Sequence, residues 1–264
     1  MHPVDRRRVL GALAASVVLG LVNIVSHNES QGLTKLPPRP VVPPPPGPHF
    51  TAPRALTKVP VPHGTIYKLA GHGNQVALTV DDGTDTDVVA AYAALARRTG
   101  LRLTFFVNGL MTSWTDHAPT LRPLADEGQV FMANHTWSHQ DLTALTAQQI
   151  TDEVTRNERF LNNTYGTLGR PFLRPPYGNL SATVSAQLAD LGYPAMTMWY
   201  GSLGDSTEVS AATILANART WLQPEHLVIG HANHPPVVEV MDQIAALIAE
   251  RKLQPVHLGD VYAV

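Results

Sequence analysis

The sequence predicts an α/β fold in which parallel strands alternate with helices. Beyond His63, short runs rich in Val, Leu and Phe alternate with longer amphipathic stretches, the patterns of buried strands and surface helices. Seven predicted strands with six intervening helices imply a parallel sheet, because each helical crossover returns the chain in the same direction. Closed or nearly closed, such a sheet is a (β/α) barrel, and 264 residues suffice for its core.

Each predicted element follows from its local pattern. The strands are expected at 76–80, 102–107, 129–134, 171–174, 195–199, 226–230 and 254–258. The helices are expected at 87–99, 115–127, 146–165, 181–191, 210–222 and 237–251. Ser181 before an apolar pattern, and Thr146 with Gln149 three residues later, are typical helix start signals.

The first residues predict export from the cytoplasm. Arg6, Arg7 and Arg8 precede an apolar run at 9–25, the layout of an export signal. The run is near the lower limit of a membrane span, so residues 1–30 form either a cleaved signal peptide or an N-terminal anchor. General and twin-arginine export both remain open. We therefore expect an extracellular or cell-wall protein, either secreted or tethered to the outer face of the cytoplasmic membrane.

A Pro-rich segment follows and is predicted as a disordered linker at 31–63. Eleven of the chain's 22 prolines fall within 37–62. Such a segment favours extended polyproline II, which suits a spacer through a cell wall. A ligand for a Pro-binding partner is the alternative. Residues 64–264 remain as the predicted catalytic domain.

Composition excludes several kinds of chemistry. The chain has no cysteine, which rules out disulfides, thiolate metal sites and a cysteine nucleophile. Residues 1–62 hold seven basic and two acidic side chains, which leaves twelve basic and nineteen acidic in the rest. A folded part with this acidic balance does not favour nucleic acid as a partner. Any metal must be held by His, Asp or Glu.

Ionisable residues follow five of the seven predicted strands. These residues are Asp81 and Asp82, His135 and His139, Arg174, Asp205, and His231. In a (β/α) barrel the carboxyl ends of the strands meet at one rim, where active sites form. The sequence therefore predicts a site at this rim.

Each motif alone has a structural alternative. The two aspartates before Gly83 fit a turn, Arg174 fits the protein surface, and His231 fits a satisfied core position. The histidines at 135 and 139 are four apart, so on a helical turn they would share one face, either to bind a metal or as a solvated pair. Together, two histidines and one carboxylate form a common facial set for a divalent metal.

The order and spacing of these motifs resemble a known family. Asp81-Asp82-Gly83, His135-x-x-x-His139, Arg174-Pro175-Pro176-Tyr177 and the strand ending in His231 look like the polysaccharide deacetylases of carbohydrate esterase family 4, which share a NodB-like homology domain. The resemblance runs from Gln75 to Tyr262. It implies a distorted (β/α)7 barrel and a metal-dependent hydrolase that removes N-acetyl groups from glycans.

The resemblance also implies residue roles. Asp82, His135 and His139 would bind one divalent ion, with Zn²⁺ the leading candidate and Co²⁺ or Ni²⁺ fitting the same ligands. Asp81 would be the general base, held by Arg174.

His231 would be the general acid, oriented by Asp205, which is expected to raise its pKa. The backbone N–H of Tyr177 would bind the oxyanion. Tyr177, Ile229 and Trp199 are expected to contact substrate.

Two features depart from the family pattern. Ser206 follows Asp205 where a Trp is usual, and Ile229-Gly230-His231 replaces the usual Leu-x-His. His234 lies close enough to His231 to compete for the acid role.

We therefore expect a monomeric exported N-deacetylase whose partner is an acetylated glycan, either peptidoglycan or a chitin-like polymer. An O-acetyl xylan esterase, another metal-dependent amidase and a non-catalytic glycan-binding module are the alternatives. The missing Trp favours the binding module, whereas the presence of Asp81, Arg174 and His231 together argues against it.

Overall fold

The computed structural model describes residues 47–53 and 56–264. Within them the strands are β1 (Gly64–Ile66), β2 (Gln75–Asp82), β3 (Leu103–Val107), β4 (Val130–Asn134), β5 (Phe172–Leu173), β6 (Ala195–Thr197), β7 (Gly201–Ser202), β8 (Leu227–His231) and β9 (Gln254–Pro255). The α-helices are α1 (Thr86–Thr99), α2 (Ser113–Asp116), α3 (Ala118–Asp126), α4 (Ala147–Tyr165), α5 (Ala182–Asp190), α6 (Ala211–Trp221), α7 (Met241–Glu250) and α8 (Leu258–Val261).

The strands form one parallel sheet that curves into a half-barrel. Their order is β1-β6-β5-β4-β3-β2-β8-β7, with β9 paired to the start of β2, and every strand pair is parallel. The helices lie along the connections between strands, as parallel pairing requires. The predicted α/β fold, a distorted (β/α)7 barrel, is confirmed.

The distortion lies between β6 and β7, where the regular strand pairing is interrupted. The backbone N–H of Met198 donates to Ile66 O (2.8 Å), and that of Tyr200 donates to Leu227 O (2.9 Å). An irregular stretch between β6 and β7 thus connects β1 to β8. The predicted strand at 195–199 therefore stops at Thr197.

Side-chain alternation divides the core into two layers. Val76, Leu78 and Val80 of β2 belong to the cluster that packs against the helices. The intervening residues, Ala77 and Asp81 among them, therefore point into the barrel. Near the amino ends of the strands the interior is filled by a second cluster, to which the C-terminal segment contributes Val256, Leu258, Val261 and Tyr262. The opposite end of the barrel is left for polar side chains.

Two predicted helices are interrupted. The helix expected at 115–127 divides at His117 into α2 and α3, since Pro119 lacks a backbone donor and suits the first turn of a new helix. The helix expected at 237–251 begins as a 3₁₀ turn over Pro235–Val240, where two prolines start the segment. The sequence pattern also misses β1, β7 and α8, because elements of two to four residues are too short to show periodicity.

Part of the predicted linker contacts the domain. Phe50 N–H donates to Thr99 O (2.6 Å), and Val59 pairs in parallel with Tyr262. Leu56 and Val61 pack with Val59 against the interior cluster. The expectation of a disordered linker up to residue 63 is therefore wrong for these residues, because their apolar side chains find a partly buried surface.

The predicted export signal and tether at 1–30 lie outside the described residues. No helix in the described part of the chain is both long and apolar enough to span a membrane.

Candidate active site

A cavity of about 430 Å³ opens at the carboxyl ends of the strands. It gathers the residues that the sequence motifs single out, from loops far apart in the chain. Its lining comprises Asp81, Asp82, His135, His139, Arg174, Pro175, Tyr177, Gly178, Trp199, Ser202, Ser206, Thr207, Ile229 and His231. Every predicted site residue except Asp205 lines it directly, and Asp205 lies behind His231.

Asp82, His135 and His139 form a compact set of donor atoms. Asp82 Oδ1 lies 3.2 Å from His135 Nε2 and 3.3 Å from His139 Nε2. One ligand atom from each residue lies within 4.8 Å of the others. Two imidazole nitrogens and a carboxylate oxygen at this separation suit a divalent cation.

The hydrogen bonds around these atoms fit a bound cation. His135 Nδ1 lies 2.6 Å from the backbone oxygen of Arg174, so Nδ1 carries the proton and Nε2 presents its lone pair. Asp82 Oδ2 accepts from Asn233 Nδ2 (2.6 Å), whereas the buried Oδ1 has no donor among the described residues. A buried carboxylate oxygen without a donor is unfavourable, and a cation would satisfy it.

Electrostatics keep this set in the state that binds a metal. Burial opposes ionisation of Asp82, but the neighbouring His135 and His139 side chains hold its pKa well below the ordinary value. Burial, together with the charge of His135, lowers the pKa of His139. The site thus favours an ionised Asp82 beside a neutral His139 imidazole.

The histidine pair lies in a loop and not on a helical turn. Residues 135–140 form a loop, in which His139 adopts a left-handed backbone (φ 59°). Asp82, Thr136 and Tyr177 are also left-handed, at φ 69°, 68° and 59°. Non-glycine residues are uncommon there and cluster at functional sites. Strict alternation along β2 would point the Asp82 side chain away from the barrel interior. The left-handed backbone instead turns it to the same side as Asp81.

Buried polar side chains hydrogen-bond the loop that carries His135 and His139. Glu153 of α4 accepts from the Ser138 N–H (2.8 Å) and hydroxyl (2.7 Å). Asn134 Oδ1 accepts from the Thr136 N–H (2.8 Å), while its amide donates to Tyr193 Oη (2.7 Å). The loop geometry is thus set by helix and strand residues.

Asp81 is held by a fully buried arginine. Arg174 Nη1 donates to Asp81 Oδ1 and to Thr79 Oγ1. Its Nε and Nη2 donate to the backbone oxygens of Thr197 and Met198, each at 2.9 Å. Every guanidinium nitrogen is therefore engaged, and Asp81 Oδ2 remains on the side of His135, 3.5 Å from its Nε2.

His231 and Asp205 form a second polar pair. Asp205, 1% exposed, accepts from His231 Nδ1 (3.0 Å) and from its backbone N–H (3.1 Å). Burial opposes the charge on His231, but the hydrogen bond to Asp205 and the Asp81 charge prevail and raise the pKa of His231. His231 ends β8 and lines the cavity, whereas His234 does not.

The other walls of the cavity are aromatic, apolar and hydroxyl-bearing. Tyr177 is 65% exposed and its ring lies 4.6 Å from that of His139. Trp199 and Ile229 also line the cavity. Ser206 and its neighbour Thr207 occupy the wall where the family usually has a Trp.

Sequence reasoning missed the residues that support the site from outside the motifs. Asn233, Thr79, Asn134 and Glu153 each hydrogen-bond a motif residue. Asn and Glu are common at surfaces, so no local pattern marks them. Only their burial and partners show their role.

Comparison with known proteins agrees with the motifs. The polysaccharide deacetylase family profile matches residues 68–196. A chitin deacetylase from Pestalotiopsis sp. is 30% identical over 205 residues, which cover 75% of this chain and 67% of that protein.

Two more relatives are larger proteins, of which this chain spans a smaller share. A bifunctional xylanase/xylan deacetylase from Cellvibrio japonicus is 28% identical, over 68% of this chain and 26% of its own length. A peptidoglycan-N-acetylglucosamine deacetylase from Bacillus cereus is 27% identical, over 63% of this chain and 59% of its own.

The fold is shared with solved structures. A peptidoglycan N-acetylglucosamine deacetylase aligns with a TM-score of 0.68 at 22% identity, over 76% of this chain and 93% of that one. The agreement of motif order, barrel topology and the 30% identical relative shows that this chain belongs to the polysaccharide deacetylase family of hydrolases.

Proposed function

We propose that the protein is an exported, metal-dependent N-deacetylase of an acetylated glycan. The observation that carries the proposal is the convergence of three groups in one cavity: the Asp82–His135–His139 set, the Asp81–Arg174 pair and the His231–Asp205 pair. Hydrolysis of an amide needs an activated water, a stabilised oxyanion and a protonated leaving group. Each group supports one of these needs.

Asp82, His135 and His139 would hold the metal, with Zn²⁺ the leading candidate and Co²⁺ or Ni²⁺ compatible with the same donors. A divalent ion there would polarise the acetyl carbonyl and lower the pKa of a water.

Asp81 is the proposed general base. Because Oδ1 is occupied by Arg174, Oδ2 is the atom that takes the proton of the attacking water. Arg174 cannot turn away, since its nitrogens are also held by two backbone oxygens and by Thr79. The base is thereby fixed in one orientation, which general-base catalysis requires.

His231 is the proposed general acid. Asp205 engages Nδ1, so Nε2 donates its proton to the nitrogen of the leaving amine as the C–N bond breaks. The raised pKa of His231 keeps more of it protonated near neutral pH. The products are acetate and a free amino group on the glycan.

Three further residues would bind the acetyl group and its sugar. The backbone N–H of Tyr177 is the proposed oxyanion donor, and the left-handed backbone of Tyr177 sets its direction. Ile229 supplies an apolar surface for the acetyl methyl group. The exposed Tyr177 ring and Trp199 offer faces for the sugar ring.

The proposed substrate is peptidoglycan or a chitin-like polymer of N-acetylglucosamine. Relatives named as chitin and peptidoglycan deacetylases support this choice. The predicted export signal and Pro-rich spacer suit a monomeric enzyme that faces the cell wall, either free or tethered through residues 9–25.

O-Acetyl xylan is the second candidate, because one relative is named as a xylanase/xylan deacetylase. The leaving group separates amides from activated esters. An amine must be protonated to leave, whereas an ester with a good leaving group depends less on an acid. His231→Ala should therefore abolish amide hydrolysis and spare much of the hydrolysis of activated acetyl esters.

Acetate release from peptidoglycan, chitin oligomers and acetylated xylan tests the proposal. We expect metal-dependent release from an N-acetylated glycan, lost on chelation and restored by Zn²⁺ or Co²⁺. Release from xylan alone would favour the esterase, and no release from any of them would refute the proposed deacetylase activity.

A further inference from the structure

Asn233, which lies outside the recognised motifs, makes a hydrogen bond to the proposed metal-binding carboxylate. Its Nδ2 donates to Asp82 Oδ2 at 2.6 Å. Its Oδ1 accepts from the hydroxyl of Thr84 (2.9 Å) and from the Thr84 backbone N–H (3.3 Å). One side chain from the loop after β8 therefore joins the last residue of β2 to the loop that follows it.

The direction of the Asn233 amide is fixed by its partners. A backbone N–H can only donate, so the atom facing Thr84 N must be the amide oxygen. The amide nitrogen then faces Asp82, and a carboxylate is an acceptor. The reversed amide would place two donors together on one side and two acceptors together on the other.

The backbone places Asn233 firmly at this point. The Ala232 N–H donates to Asp81 O (3.0 Å), and the Asp85 N–H donates to Ala232 O (3.0 Å). These bonds continue the pairing of β2 with β8 past the ends of both strands. Asn233 is thus positioned by the sheet, although it stands two residues beyond β8.

The two oxygens of Asp82 have different environments. Oδ2 is occupied by Asn233, whereas Oδ1 is buried, lacks a donor among the described residues, and lies within 3.3 Å of both histidine nitrogens. Without Asn233, rotation about the side-chain torsion could exchange the oxygens or present both.

We propose that Asn233 is a positioning residue that makes Asp82 a monodentate metal ligand. It holds Oδ2 so that only Oδ1 faces the cation, and this leaves a coordination position open for water and substrate. The inference rests on the proposed metal site and adds to it a residue that does not touch the metal.

Zinc affinity of the metal-free protein tests this role without any measurement of activity. Competition with a chromophoric chelator gives the Kd of wild type, Asn233→Ala and Asn179→Ala. Asn179 is the matched control, since its amide also donates to a carboxylate, Asp141 Oδ2 (2.8 Å), but it does not line the cavity. We expect Asn233→Ala to weaken zinc binding about 10- to 100-fold and Asn179→Ala to leave it unchanged.

A double-variant cycle separates positioning from general loss of structure. If Asn233 acts through Asp82, its removal should have no further effect on zinc affinity in an Asp82→Ala background. Thr84→Val keeps the shape of the side chain and removes one hydrogen bond to Asn233, so it should weaken binding about two- to tenfold. If Asn233→Ala does not fold, Thr84→Val still tests the proposed role of Asn233.

Wild-type zinc affinity in both Asn233→Ala and Thr84→Val, or an undiminished effect in the Asp82→Ala background, would overturn the inference. Failure of the wild-type protein to bind zinc, cobalt or nickel would instead refute the metal site of the proposed function. The two failures are therefore distinguishable.

Discussion

Asp81 and His231 are direct partners in the parallel register of β2 and β8. Both residues lie at positions whose side chains point into the barrel, so the proposed base and acid emerge side by side from adjacent strands. Neighbouring strands lie about 4.8 Å apart, a separation that a single acetamide group can span. The sheet register therefore places the two proton-transfer groups on neighbouring strands at the same level of the barrel.

Removal of the histidine ligands should remove the metal. We expect the wild type to be purified with a divalent ion and His135→Ala/His139→Ala without one, because one carboxylate oxygen cannot hold the ion alone. Elemental analysis of both proteins measures this. His117→Ala, whose ring bonds Thr86 outside the cavity lining, is the control. Equal metal content in the double variant and wild type would contradict the assignment.

Asp81→Asn should separate catalysis from metal binding. The amide cannot accept the proton of water, so we expect kcat to fall about 10²- to 10⁴-fold, while metal content stays near the wild-type value because Asp82 and the histidines are unchanged. Asp82→Asn is the companion variant and should retain less metal than Asp81→Asn, because one of the three proposed ligands is weakened. If Asp81→Asn loses its metal instead, the two aspartates share or exchange roles.

Asp205→Asn should move the alkaline limb of the pH profile. An acid must be protonated to act, so activity falls as pH rises through the pKa of His231, which Asp205 holds above its ordinary value of 6.5. With the carboxylate replaced, burial remains and lowers that pKa. The limb in kcat/KM for an N-acetylated oligomer should therefore shift to lower pH. Exposed Asp242→Asn should leave it in place, and an unmoved limb in Asp205→Asn would show that another group donates the proton.

The segment before β1 should stabilise the domain without contributing to catalysis. A chain that begins at residue 64 loses the packing of Phe50, Leu56, Val59 and Val61. We expect a cost of about 1 kcal/mol for each half-buried side chain. Denaturant unfolding measures the free energy of unfolding of this shorter chain and of a chain that begins at residue 47. None of these residues lines the cavity, so the activity of the folded fraction should be retained, and equal stability would show that the contacts contribute nothing.

Periodicity and motif order determine most of the architecture in the sequence alone. Strands β2, β3, β4 and β8 are predicted within about two residues, because each is a continuous apolar run bounded by polar residues. The strand-end motifs predict which residues meet, since the carboxyl ends of parallel strands must share one rim. Asp205, which follows a different predicted strand from His231, lies against it.

Tertiary structure alone decides the features that depend on contacts between distant segments. The left-handed turn at Asp82, the loop that carries His139 and the hydrogen bond from Asn233 all need partners that no local pattern specifies. The packing of Val59 on Tyr262 joins residues about 200 positions apart. Local sequence sets the intrinsic preference of each backbone segment, whereas burial and long-range hydrogen bonds determine which of the available conformations is stable.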